Sequence, residues 1–122
     1  MRTAILAAAA FAAVVVSADS ASAQARKFDG RWSIEVLTDK GECDRAYRYA
    51  VIIENGRARY AGPESFSVSG GVQASGAVSG SIVYGSNRAN VTGRLSGGWG
   101  RGTWTFAGAR NCSGHWNAEK RG

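Results

Sequence analysis

Beyond Lys27, apolar residues recur at every second position in short runs broken by Gly, Asn and Ser, the period of half-buried strands rather than helices. Trp32, Ile34 and Val36 would share one face of a first strand; Tyr47, Tyr49, Val51 and Ile53 would share one face of a second. Asn55-Gly56 reads as a two-residue hairpin turn, since both residues tolerate the positive φ that such a turn needs. It sets Glu54 against Arg57, Val51 against Tyr60 and Ile53 against Ala58, so opposite charges meet and the apolar side chains gather on one side.

The same test extends along the chain. Phe66, Val68, Gly70 and Val72 predict a fourth strand, and Val78, Gly80, Ile82 and Tyr84 a fifth, joined by the three-residue loop Ala74-Ser75-Gly76. A turn at Ser86-Asn87 would pair Tyr84 with Ala89, Ile82 with Val91 and Val78 with Leu95. A turn at Gly98-Trp99 would set Leu95 against Gly102, Gly93 against Trp104 and Val91 against Phe106. A loop over Gly108–Arg110 then opposes Phe106 to Cys112, Trp104 to Gly114 and Gly102 to Trp116.

These segments predict an all-β chain: a small antiparallel up-and-down eight-stranded barrel, or a rolled meander of the same strands, with one disulfide. Gly93, Gly102 and Gly114 are expected opposite bulky neighbours and Gly80 opposite Gly93, making room for indoles and for curvature. A disordered Gly/Ser-rich segment is the competing reading, and it leaves the spacing of Trp104, Phe106 and Trp116 unexplained. Cys43 follows strand one and Cys112 opens strand eight. With eight strands both lie at one end, where closure makes strands one and eight neighbours; with seven they would lie at opposite ends, too far apart to bridge.

Ahead of the strands, Met1-Arg2, the apolar run Thr3–Val16 and Ala21-Ser22-Ala23 form a signal peptide cut after Ala23. The run is short of the ~20 residues that span a bilayer as a helix. The expected product is a single domain, residues 24–122, periplasmic or secreted, in a compartment where two cysteines pair. The net charge of +6 survives cleavage, which removes one Arg and one Asp, and favours an anionic surface or protein as partner. Export argues against intracellular nucleic acid. Arg48 also alternates with Tyr47 and Tyr49 onto the opposite face, so the basic and aromatic side chains cannot build one stacking platform.

Phe28-Asp29-Gly30-Arg31-Trp32 resembles the F-x-G-x-W opening of calycin-type barrels, such as fatty-acid-binding proteins, lipocalins and the avidins. That likeness implies that Trp32 plugs a closed end while the other end admits a small ligand. Over its whole length the chain is similar to short exported proteins of soil and plant-associated α-proteobacteria. Those share F-D-G-x-W, the segment from Cys43 to Tyr49, G-R-L-S-G at 93–97, G-T-W, and C-S-G-x-W from Cys112 to Trp116. Some members carry the label heme utilisation or adhesion.

At the cysteine-bearing end, Val36, Tyr47, Tyr60, Phe66, Tyr84 and Phe106 would form the inner rim. An apolar concavity with few hydroxyls suits a small apolar or aromatic ligand; alternatively the rings fill the barrel solid. Asp39, Lys40, Glu42, Asp44, Arg45, Arg88 and Arg110 surround that end. Arg48, Arg57 and Arg59 point outward from strands two and three, a face for an anionic partner. His115 is the only histidine and points outward, so no metal site is expected and no cofactor is called for; a haem would have to use His115 or Tyr47. With no G-x-S-x-G elbow and few carboxylates, an enzyme is not expected. Trp99, on a hairpin tip, either covers the barrel floor beside Phe28 or makes an external contact.

The function expected is an exported non-enzymatic binding module taking a small apolar ligand at an aromatic mouth. A protein-interaction, adhesion or enzyme-inhibitor module acting through loops and arginines is the alternative. N-terminal sequencing of the exported protein is expected to start at Gln24; an intact Met1 would remove the export argument.

Overall fold

The computed structural model describes residues 26–62 and 67–122; the leader, its cleavage point and Phe66 lie outside the described residues. Eight strands follow in chain order: β1 (Gly30–Lys40), β2 (Ala46–Glu54), β3 (Arg57–Tyr60), β4 (Ser67–Val72), β5 (Ala77–Tyr84), β6 (Asn87–Ser96), β7 (Trp99–Ala107) and β8 (Cys112–Lys120). Each pairs antiparallel with its neighbour, and β1 pairs with β8 from Trp32 opposite Lys120 to Lys40 opposite Ser113, closing the barrel. No helix occurs among the described residues.

Several registers follow the alternation directly. Val51 faces Tyr60, Ile53 faces Ala58 and Glu54 faces Arg57 across a turn in which Asn55 (φ 52°) and Gly56 (φ 79°) are both left-handed. The β7–β8 pairings of Phe106 with Cys112, Trp104 with Gly114 and Gly102 with Trp116 also stand.

Two hairpins differ from the sequence reading, each by a two-residue slip. Tyr84 pairs with Asn87, Ile82 with Ala89, Gly80 with Val91 and Val78 with Gly93. Likewise Leu95 pairs with Gly100, Gly93 with Gly102 and Val91 with Trp104. The turns are therefore Gly85-Ser86 and Gly97-Gly98. A two-residue hairpin needs positive φ at its first central residue, and Gly85 (φ 62°) and Gly97 (φ 61°) provide it where Ser86 and Gly98 had been expected to lead. Because the slip is even, every side chain keeps its face. Gly80 consequently sits opposite Gly70 and Val91, not Gly93.

The core lies toward one end. Trp32 is 1% exposed, and Phe28, Ile53, Val72, Leu95, Trp116 and Ala118 are buried with it. The segment leading into β1 builds this floor: the Phe28 carbonyl accepts the Trp32 Nε1–H at 2.8 Å, while Asp29 accepts the amides of Asn55 (2.8 Å) and Gly56 (3.2 Å). One half-buried carboxylate thus ties the start of the barrel to the β2–β3 turn.

Indoles and glycines are fitted to one another on the wall. The Trp116 Nε1–H donates to the Thr92 carbonyl at 3.1 Å and that of Trp104 to the Leu37 carbonyl at 3.0 Å. A Cβ on Gly102 would lie 2.6 Å from the Trp116 indole, and one on Gly114 2.9 Å from the Trp104 nitrogen.

At the other end Cys43 and Cys112 are bonded with Cα atoms 6.1 Å apart, and the Cys43 amide donates to the Cys112 Sγ. Among the described residues, the β3–β4 seam is held by the ladder pair Arg57–Gly71 and by the Val72 amide on the Gly56 carbonyl.

Two measurements check this packing. Gly102→Ala is expected to lower the unfolding free energy by about 1–3 kcal/mol through overpacking against the Thr92 carbonyl and Trp116, whereas an unchanged denaturation midpoint would deny that fit. The double variant Cys43→Ala, Cys112→Ala is expected to lose about 4 kcal/mol, the loop-closure value for this separation.

Candidate functional site

Three indoles fill one side of the barrel: Trp32 from β1, Trp104 from β7 and Trp116 from β8. Below Tyr84 at the rim, the facing wall, β4 and β5, offers Val68, Gly70, Val72, Val78, Gly80 and Ile82 at its inward positions. Side chains this small cannot reach across. The interior is consequently open, with a cavity of about 330 Å³ bordered by both walls. The alternative of a solidly filled barrel does not hold.

Most of the expected rim residues border this cavity. Val36, Tyr47, Tyr60, Tyr84 and Phe106 all line it. Tyr84 is 53% exposed, since the register slip moves it one pair nearer the hairpin tip, and Ile82 takes the inner place opposite Ala89. Around the mouth, Cys112, Phe106, Ala89, Ile82 and Val68 follow one another as cross-strand partners.

Tyr49 was not singled out in the sequence, yet it joins the aromatic wall. Its ring stacks on Tyr47 with centroids 5.9 Å apart and meets Tyr60 edge-on at 5.9 Å. Its parity with Tyr47 carried the signal; its depth below the rim concealed it. The Tyr47 hydroxyl in turn accepts the Asp44 amide at 3.2 Å, which fixes the ring beneath the β1–β2 loop.

Arg110 is the only charged side chain bordering the cavity among the described residues. It donates to the Glu42 carbonyl at 3.3 Å and forms no ion pair with a described carboxylate. Asn87, also at the mouth, uses its Oδ1 to accept the Ala109 amide at 3.1 Å, so its amide nitrogen is the end without a partner among the described residues. The mouth therefore carries a cation, an amide donor and phenolic hydroxyls above an apolar interior, with no acidic lining residue among those described.

The arginines named for an anionic partner lie on the outer wall, Arg57 and Arg59 on one face of β3 and Arg48 on β2. Arg48 on β2 contacts Glu35 at 3.5 Å and donates to Ser33 at 3.1 Å. Arg59 pairs with Glu54 at 2.9 Å, the residue that also faces Arg57. Exposed pairs of this kind contribute little stability.

His115 is outward on β8, its Nδ1 2.9 Å from the Asp39 carboxylate. Tyr47 lies inside, so the wall separates the two groups that a haem could use. No cluster of three His, Cys, Asp or Glu able to hold a metal occurs among the described residues. Trp99 is 53% exposed with the Arg101 guanidinium 6.0 Å from its ring, so it does not cover the floor, which Phe28 and Trp32 occupy. Compared with known proteins, the chain matches no family model, no curated protein and no solved structure.

Proposed function

We propose that the protein is an exported, non-enzymatic binding module that takes a small elongated apolar ligand, tail first, through the mouth beside the disulfide. The open apolar cavity of about 330 Å³ carries this reading. It falls at the lower end of the range for ligand sites, roughly 300–1,000 Å³. An empty apolar hole costs stability by forfeiting contacts, by about 24 cal/mol per Å³ in measured large-to-small series. Packing the site shut would recover that loss, so an open interior is consistent with an occupant.

Arg110 and the donors beside it favour a ligand whose outer end accepts hydrogen bonds, and a carboxylate above a neutral group. Each buried methylene contributes about 0.8 kcal/mol, against several kcal/mol for lost rigid-body freedom. A medium-length chain should then bind with a dissociation constant on the order of micromolar.

Trp32, Trp104 and Trp116 border the cavity, so tryptophan emission reports occupancy. Titration with decanoate is expected to give a saturable change, with decanol weaker and decylammonium weakest. Ile82→Trp is expected to abolish the signal by filling the cavity, and Arg110→Gln to bring decanoate down to the affinity of decanol. A linear, non-saturating response to all three probes would overturn the pocket.

A further inference from the structure

Most of the net charge of the described residues lies at one end of the barrel. Arg26, Lys27 and Arg31 lead into β1 at the floor, and Arg57 and Arg59 open β3 there. Arg94 approaches the end of β6, Arg101 follows the start of β7, and Lys120 and Arg121 finish β8 at the same end. Against these nine basic residues stand Asp29, Glu54 and Glu119, a surplus of six. Six of the seven net positive charges on the described residues therefore lie at this end. Asp29 is also committed to the β2–β3 turn amides.

The registers bring many of these residues onto neighbouring strands. Ile52 faces Arg31 on one side and Arg59 on the other, and the Arg121 amide bonds to the Arg31 carbonyl. Further round, Arg94 stands opposite Arg101 in the β6–β7 register, with its guanidinium donating to the Ser75 carbonyl at 3.1 Å. Neither forms an ion pair with a described carboxylate. Beside them the Gly97-Gly98 tip lifts Trp99 into solvent, with the Gly98 carbonyl held by the Lys120 amide at 2.8 Å.

We infer that this closed end docks on an anionic lipid bilayer, with Trp99 at the headgroup level and the cavity mouth facing away. Indoles concentrate at membrane interfaces, where an apolar ring and a polar N–H are both satisfied. Each arginine near an anionic surface adds about 1 kcal/mol, equivalent to about fivefold in partitioning. Trp99 lines neither the barrel cavity nor the cleft between β3 and β4; it opens β7 opposite Ser96 and Glu119 with its ring exposed, which suits a broad fluid surface rather than a groove-bound chain. The surface is independent of the pocket proposed above.

The test is sedimentation of the protein, as its host exports it, with phosphatidylcholine vesicles with and without phosphatidylglycerol. Binding is expected only with the anionic lipid, falling steeply with salt. The tryptophan emission should shift to the blue, and Trp99→Phe should remove that shift while sparing the decanoate response. Arg94→Gln with Arg101→Gln should weaken partitioning by about 25-fold, whereas Arg88→Gln, at the mouth half, should leave it unchanged. Ile82→Trp should bind vesicles normally, which keeps failure of the pocket distinct from failure of this surface. Equal binding of the double arginine variant, with circular dichroism unchanged, would overturn the docking surface. So would retention on heparin without vesicle binding, which would assign the band to a soluble polyanion.

Discussion

Three indoles packed against a wall of glycines are the constraint on which this barrel depends. Trp104 and Trp116 lie in space that Gly102 and Gly114 leave by lacking a Cβ, and each donates its N–H to a carbonyl of the wall. A buried indole without such a partner would carry the cost of an unsatisfied donor. With the large rings committed to β1, β7 and β8, the opposite wall of Val and Gly cannot meet them. The cavity is the direct consequence of that lopsided distribution of volume.

The floor gives the molecule its polarity. Phe28 and Trp32 are joined by an indole-to-carbonyl bond, and Asp29 holds the neighbouring turn, so the end where β1 starts is sealed. The disulfide clasps the far end, tying the β1–β2 loop to the head of β8 without filling the mouth. One end is therefore packed and basic, the other open and aromatic. A barrel with both ends sealed would offer only its outer wall to partners.

How much of this was legible follows from what each signal encodes. The Asn55-Gly56 hairpin and the β7–β8 pairing were readable because turn chemistry or the opposed bulky and small residues leave one register. The β5–β6 and β6–β7 hairpins were misplaced by two residues because Ser86-Asn87 and Gly98-Trp99 look like loops while Gly85 and Gly97 must open them. Alternation alone cannot detect an even slip, since it preserves every face. The error mattered at the site: it carried Tyr84 outward and put Ile82 in its place. Tyr49 and Arg110 were under-read for a related reason, because depth along a strand and the direction of a loop side chain have no period.

Period and parity belong to the chain itself. They determined the eight strands, their inward faces and the joining of Cys43 to Cys112, since each rests on alternation or on counting ends. Only closure in three dimensions decided that the interior stays open and that, among the described residues, Arg110 alone brings charge to it. Closure likewise gathered the excess positive charge beside Trp99. Volume and charge at one end of a barrel are sums over strands far apart in sequence, and no local pattern records such a sum.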